Sequence, residues 1–246
     1  VPSKKKSTKK NVRTVLFSPD TSWLVSSDTE GTLNVYERRG FSRKKQYSIQ
    51  VANQLIFYRE IVQFSSDSRL LVFPEKDHAI RVVNTRLWKD VVHLRGHTKN
   101  LMDIRFSPDG KSLASSDEEG TLILWDTRTW KRIAKVTGTT SIPFDIEFST
   151  NGRHLVAATY NGQIRVLSVP RLTLQKVIRS HQRQVLDIAI SPTGKQFASS
   201  GNDHRVYLHQ SSLLGEPKLL KLHMRAAAQV LFSPDDTLWT SSSEDE

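Results

Sequence analysis

The chain contains no cysteine. That removes disulfides, thiolate metal sites and cysteine nucleophiles, and it fits a reducing compartment, so an intracellular location (nuclear or cytoplasmic, including cytoskeletal) is expected. Long apolar runs are also missing. None approaches the roughly 20 residues of a membrane helix, so no membrane span is expected. The first residues are polar and lysine-rich, without the apolar core of a secretory signal. The chain opens on Val1 and not on methionine, which suggests a fragment of something longer. With 37% hydrophobic and 25% charged residues, it has the composition of a folded protein.

Acid is absent from two stretches. Residues 1–13 hold Lys4, Lys5, Lys6, Lys9, Lys10 and Arg13, and residues 38–45 hold Arg38, Arg39, Arg43, Lys44 and Lys45, with no Asp or Glu in either. These 11 cations equal the net charge of +11, so the rest of the chain is neutral. A basic tail over 1–10 and a basic loop near 38–45 are the candidate contacts for a polyanion, either nucleic acid or an acidic protein tail. The tail has no aromatic residue to stack on bases, which argues against sequence-specific nucleic-acid reading.

What is abundant is repetition. Phe17-Ser18-Pro19-Asp20 returns at Phe64, Phe106, Phe148, Ile190 and Phe232, first after 47 residues and then every 42. A fixed period in this range signals a repeat architecture. Within the third unit, Leu101–Phe106 alternates like a strand, and Ser107-Pro108-Asp109-Gly110 is a turn. Ser112–Ser116 is a second strand and Thr121–Trp125 a third, apolar on both faces. After Asp126–Thr129 a more polar fourth strand runs to Val136. Four short strands per unit make one blade of a β-propeller.

Gly96-His97, the strand ending Trp125-Asp126 and the 42-residue period resemble the WD-repeat family of β-propellers. The resemblance implies an all-β propeller of four-stranded blades near 11–55, 56–97, 98–139, 140–181 and 182–223. A partial sixth blade falls at 224–246, all of it expected to belong to a seven-bladed ring. The missing strands are expected from the parent chain or a partner. The family's buried hydrogen-bond set maps onto His97, Ser115, Glu119 and Trp125 in the third unit, with His181, Asp203, Asp77 and His223 at equivalent positions elsewhere. The resemblance also implies a contact face, whose apolar positions here are Tyr58, Met102, Ile142, Phe144, Tyr160 and Leu186. Phe144 and Leu186 fit equally well as packing between blades.

Catalytic and metal readings find little support. His93/His97 and His204/His209 are four and five residues apart, which on strands and turns does not focus two rings on one ion. Gly110-Lys111-Ser112 and Gly194-Lys195 are turns in the repeat register, without the earlier glycine of a phosphate loop. No Gly-x-Ser-x-Gly elbow frames a serine. The expected function is a non-catalytic scaffold joining proteins of a multi-subunit complex, with no enzyme activity, cofactor or metal. The alternative is a subunit of a ribonucleoprotein, chromatin or cytoskeletal assembly held through its basic segments.

Overall fold

A computed structural model of the chain describes residues 12–28, 30–48, 61–139, 141–211 and 216–242. These residues form strands, turns and one 3-10 turn at Arg39–Phe41, with no α-helix among them. The first blade comprises β1 (Val12–Phe17), β2 (Trp23–Asp28), β3 (Thr32–Glu37) and β4 (Arg43–Ser48). The second comprises β5 (Gln63–Phe64), β6 (Leu70–Pro74), β7 (Ile80–Asn84) and β8 (Lys89–Leu94). The third is β9 (Leu101–Phe106), β10 (Ser112–Asp117), β11 (Leu122–Asp126) and β12 (Arg132–Val136). The fourth is β13 (Pro143–Phe148), β14 (His154–Thr159), β15 (Ile164–Ser168) and β16 (Thr173–Ile178). The fifth is β17 (Val185–Ile190), β18 (Gln196–Gly201), β19 (Arg205–Gln210) and β20 (Lys218–Leu222). A two-stranded sheet of β21 (Ala227–Phe232) and β22 (Leu238–Ser242) follows. Every sheet is an antiparallel meander, because turns of a few residues can only reverse the chain onto its neighbour.

The recurring Phe-Ser-Pro-Asp motif is the turn between the first two strands of each blade. Ser107 donates its hydroxyl to Asp109 and accepts the Ser112 amide at 2.9 Å, while Asp109 accepts the Lys111 amide. The next residue is left-handed, and Gly110, Gly152 and Gly194 meet that demand at φ of 67–68°. The turn between the third and fourth strands also places one residue left-handed. At this position stand Phe41, Trp88, Trp130 and Leu172, all bulky and apolar.

The chain forms two compact units, Val1–His93 and Leu94–Glu246. In the first unit, Val25, Leu33 and Val35 of the first blade pack on Val62, Phe64, Leu71, Phe73, Val83 and Trp88 of the second. Trp23 meets Trp88 edge to face at 4.7 Å. The second unit repeats this arrangement twice, joining the third blade to the fourth and the fourth to the fifth. A smaller cluster joins the fifth to β21–β22.

The five extra residues of the first interval do not lengthen the basic loop. The β3–β4 connection spans residues 38–42, the same length as residues 127–131 between β11 and β12. The extra length falls between Ser48 and Gln63. The basic residues therefore sit on an ordinary hairpin and on its outermost strand.

Candidate functional site

The buried polar sets show what the scaffold spends its histidines on. In the third blade His97 Nε2 meets Ser115 Oγ at 2.7 Å, His97 Nδ1 meets Asp117 Oδ2 at 2.8 Å, and Trp125 Nε1 donates to Ser115 Oγ at 3.0 Å. Gly96 lets this histidine loop lie against the sheet, since a Cβ there would sit 3.1 Å from the Trp125 ring. The acid is Asp117, at the end of β10, and not Glu119 as the sequence register suggests. Glu119 is instead exposed, near Lys99 and Thr98.

The fifth blade solves the same problem differently. His181 Nε2 meets Ser199 Oγ at 2.8 Å and His181 Nδ1 meets Asp203 Oδ1 at 2.8 Å. His209 stands in the tryptophan's place and bonds Ser199 Oγ at 2.8 Å. The repeat equivalent of Asp117 is Gly201, and a Cβ on Gly201 would lie 2.5 Å from His181 Nδ1 and 2.8 Å from Asp203 Oδ1. The two ways of placing the acid exclude each other: a side chain at position 117 leaves no room for one arriving from the position of 119. In the fourth blade the positions of His97, Ser115 and Trp125 hold Thr139, Ala157 and Leu167, and apolar packing replaces the polar set. Asp77 is exposed and accepts the Ala79 amide at 3.4 Å; His223 is half-buried and donates its backbone N–H to the His204 carbonyl.

These Ser–His–Asp connections match a hydrolase triad in their wiring but not in access. Ser115 and Ser199 are fully buried, and each hydroxyl is already committed to a second ring, so no substrate carbonyl can reach them. Burial pushes the Asp117 carboxyl up, but the His97 bond and the amides of Thr121 and Glu119 outweigh it and hold the group below its usual range. Asp203 is likewise lowered by His181 and the amides of Gln182 and Arg205, against its burial. His209 is pushed down to about 3 by burial, with His181 adding a smaller effect, so it stays neutral.

A second polar system recurs every 42 residues. Asp103, Asp145 and Asp187 on β9, β13 and β17 are all buried. Each accepts the backbone N–H of the next blade's first strand: Ile146 at 3.0 Å, Ile188 at 2.7 Å and Val230 at 2.8 Å. Arg105 joins them, reaching Asp103 at 3.1 Å, Asp145 at 3.0 Å and Glu147 at 2.9 Å. Its burial alone would weaken the cation, but the carboxylates outweigh that and hold it charged.

Of the apolar contact candidates among the described residues, Tyr160 is the one presented to solvent, with 48% of its surface exposed. It sits in the turn after β14, where its backbone N–H donates to the Ile142 carbonyl at 2.9 Å. Its ring leans on Phe144 with centroids 5.6 Å apart. Phe144 and Leu186 are buried, while Met102 and Ile142 are half-buried. Phe144 therefore supports the patch from beneath. At the same end of neighbouring blades, Asn100 bonds Glu118 and Asn202 bonds Gln184, giving the patch a polar rim. Tyr58 lies outside the described residues.

The basic candidates divide the same way. Lys4, Lys5, Lys6, Lys9 and Lys10 lie outside the described residues. Arg38, Arg39, Arg43, Lys44 and Lys45 are all exposed on the β3–β4 hairpin. Arg38 donates to the Thr21 hydroxyl, and none of the five meets a carboxylate among the described residues. His93 pairs with Glu75 and Asp90, beside the bidentate Arg81–Asp90 bridge.

Asp117, Arg105 and the Asp103–Asp145–Asp187 series were missed in reading the sequence, although the last repeats at the full period and was open to view.

The family model for the WD domain, G-beta repeat, matches residues 3–37, 88–126, 130–168 and 172–210. No curated protein matches the chain.

Proposed function

Because the chain belongs to the WD-repeat family, whose members generally serve as protein-interaction scaffolds, we propose that this one holds a partner protein of a larger complex on the end of the blades that carries Tyr160. The observation behind this is the half-exposed Tyr160 ring braced by buried Phe144, with the Tyr160 backbone N–H held on the Ile142 carbonyl. Aromatic side chains held rigid in this way lose little freedom on binding and dominate interface energies. Tyr160→Ala is expected to weaken capture of the physiological partner at least tenfold, about 1.4 kcal/mol, measured by titration calorimetry. An unchanged affinity would retire the proposal.

A second reading rests on the five hairpin cations, which meet no carboxylate among the described residues. They suit an acidic surface, and binding through them would weaken steeply with salt. Binding through Tyr160 would change little between low and physiological salt, so a salt titration of the same complex separates the two.

A further inference from the structure

The fourth blade holds amides where other repeats hold acids. In the turn between its first two strands stands Asn151, at the position of Asp20, Asp67, Asp109 and Asp235. In the turn after β14 stands Asn161, at the position of Asp77, Glu119 and Asp203. A glycine follows each of the two asparagines. The fold requires both glycines, since Gly152 and Gly162 adopt φ of 67° and 79°. At Gly162 there is no room for a side chain either: a Cβ would lie 2.6 Å from the His181 carbonyl oxygen and 2.8 Å from that of Arg183. A glycine has no side chain to shield its backbone nitrogen, so that nitrogen can attack the amide carbon of the asparagine before it.

The two pairs differ in how firmly the reacting groups are held. Asn151 Oδ1 accepts the Ser149 hydroxyl at 2.8 Å and the Arg153 amide at 3.0 Å, and the Gly152 N–H donates to the Ser149 carbonyl at 2.8 Å. Among the described residues Asn161 Oδ1 meets only the Thr159 hydroxyl, at 2.7 Å, and that one hydrogen is shared with the Gln163 carbonyl at 2.6 Å. The Gly162 N–H reaches the Thr159 carbonyl at a longer 3.2 Å. Both asparagines are exposed to water. Opening the turn far enough to bring nitrogen to carbon therefore breaks less at Asn161 than at Asn151.

We propose that Asn161 is a site of self-modification, converting with water to an acidic residue while Asn151 in the same folded blade persists. The Gly162 nitrogen forms a bond to Asn161 Cγ and gives up its proton. The Cγ–Nδ2 bond breaks, and ammonia leaves with that proton. Water then opens the cyclic imide at either carbonyl, leaving aspartate or isoaspartate. Either product places a carboxylate next in sequence to Tyr160. Isoaspartate also lengthens the main chain directly before Gly162, which is packed against the His181 and Arg183 carbonyls on the segment entering the fifth blade. An altered capture of the partner follows from the new charge and rests on the Tyr160 reading; the conversion itself does not.

The test incubates the intact protein at mildly alkaline pH, folded and in urea, and then digests it. The mass gain of amide-to-acid conversion and the separation of isoaspartyl peptides are read at each site. In the folded protein Asn161 is expected to convert roughly fivefold or more faster than Asn151, the factor that one additional hydrogen bond supplies. In urea the two rates are expected to draw together. Asn161→Gln should abolish the faster conversion and Asn151→Gln should leave it in place, with the melting temperature of each variant showing that the blade remains folded. Asn151 converting as fast as Asn161 in the folded protein, an unconverted Asn161 under conditions where the urea-unfolded chain converts, or a rate ratio unchanged by urea would each overturn the proposal. A Tyr160→Ala protein that captures its partner normally counts against the Tyr160 reading alone, since the mass measurement needs no partner.

Discussion

The carboxylate that pairs with a buried histidine decides more of the local stability than its exposed neighbours do. Asp117→Ala strands the His97 ring in a fully buried site, and a loss of about 3 kcal/mol is expected by urea denaturation. Glu119→Ala should change the same measurement by less than about 0.5 kcal/mol, because that side chain is exposed. His209 gives a pH signature. In the folded chain it resists protonation down to about 3, whereas an unfolded histidine takes a proton near 6.5. The unfolded state therefore binds more protons between these values, and His209 contributes stability at neutral pH that is lost as the pH falls below 6.5 toward 3. His209→Trp installs the third blade's donor to the serine and should flatten that part of the stability–pH curve. Asp117 and Asp203, held low, contribute stability above the unfolded carboxylate range that disappears only as acid protonates them in the fold.

At the scale of strands and turns, the repeat was legible because each element solves a local problem with its own residues. Ser-Pro-Asp turns carry their hydrogen bonds within six residues, and the short apolar strands between them can only form meandering sheets. The candidate site was less legible. The registers of Asp117 and Asp203 differ by two residues, and only the Cβ room at Gly201 shows why one excludes the other. Phe144 and Tyr160 look alike as sequence, yet one lies under the other. Whether an aromatic side chain supports a patch or forms it depends on neighbours many residues away. Arg105 could not be assigned from sequence because two of its three partners, Asp145 and Glu147, lie 40 and 42 residues further on. Removing it leaves Asp103, Asp145 and Glu147 crowded without their cation. Arg105→Met is expected to cost about 3 kcal/mol in urea denaturation, and Arg105→Lys to recover only part, since one ammonium cannot replicate the guanidinium's fork.

For the whole molecule, stability in such a chain is close to a sum of blade terms and nearest-neighbour contacts. Asp103, Asp145 and Asp187 carry a share of the contacts from the third blade onward, each on the amide that follows. Asp145→Asn should therefore loosen the fourth-to-fifth contact, with faster hydrogen exchange at Ile188 than at Val230. Equal acceleration at both amides would argue that the blades open together. The incompatibility of Asp117 with the fifth blade's arrangement reaches further, into how such a gene could be recombined. Splicing the third repeat into the fifth just after the second strand would deliver two acids to one histidine, and the reverse splice would put a longer glutamate where an aspartate is needed. Repeats of this protein are thus interchangeable only when the crossover falls outside the strand and turn that together supply the acid, so its copies can be shuffled as cassettes but not as fragments.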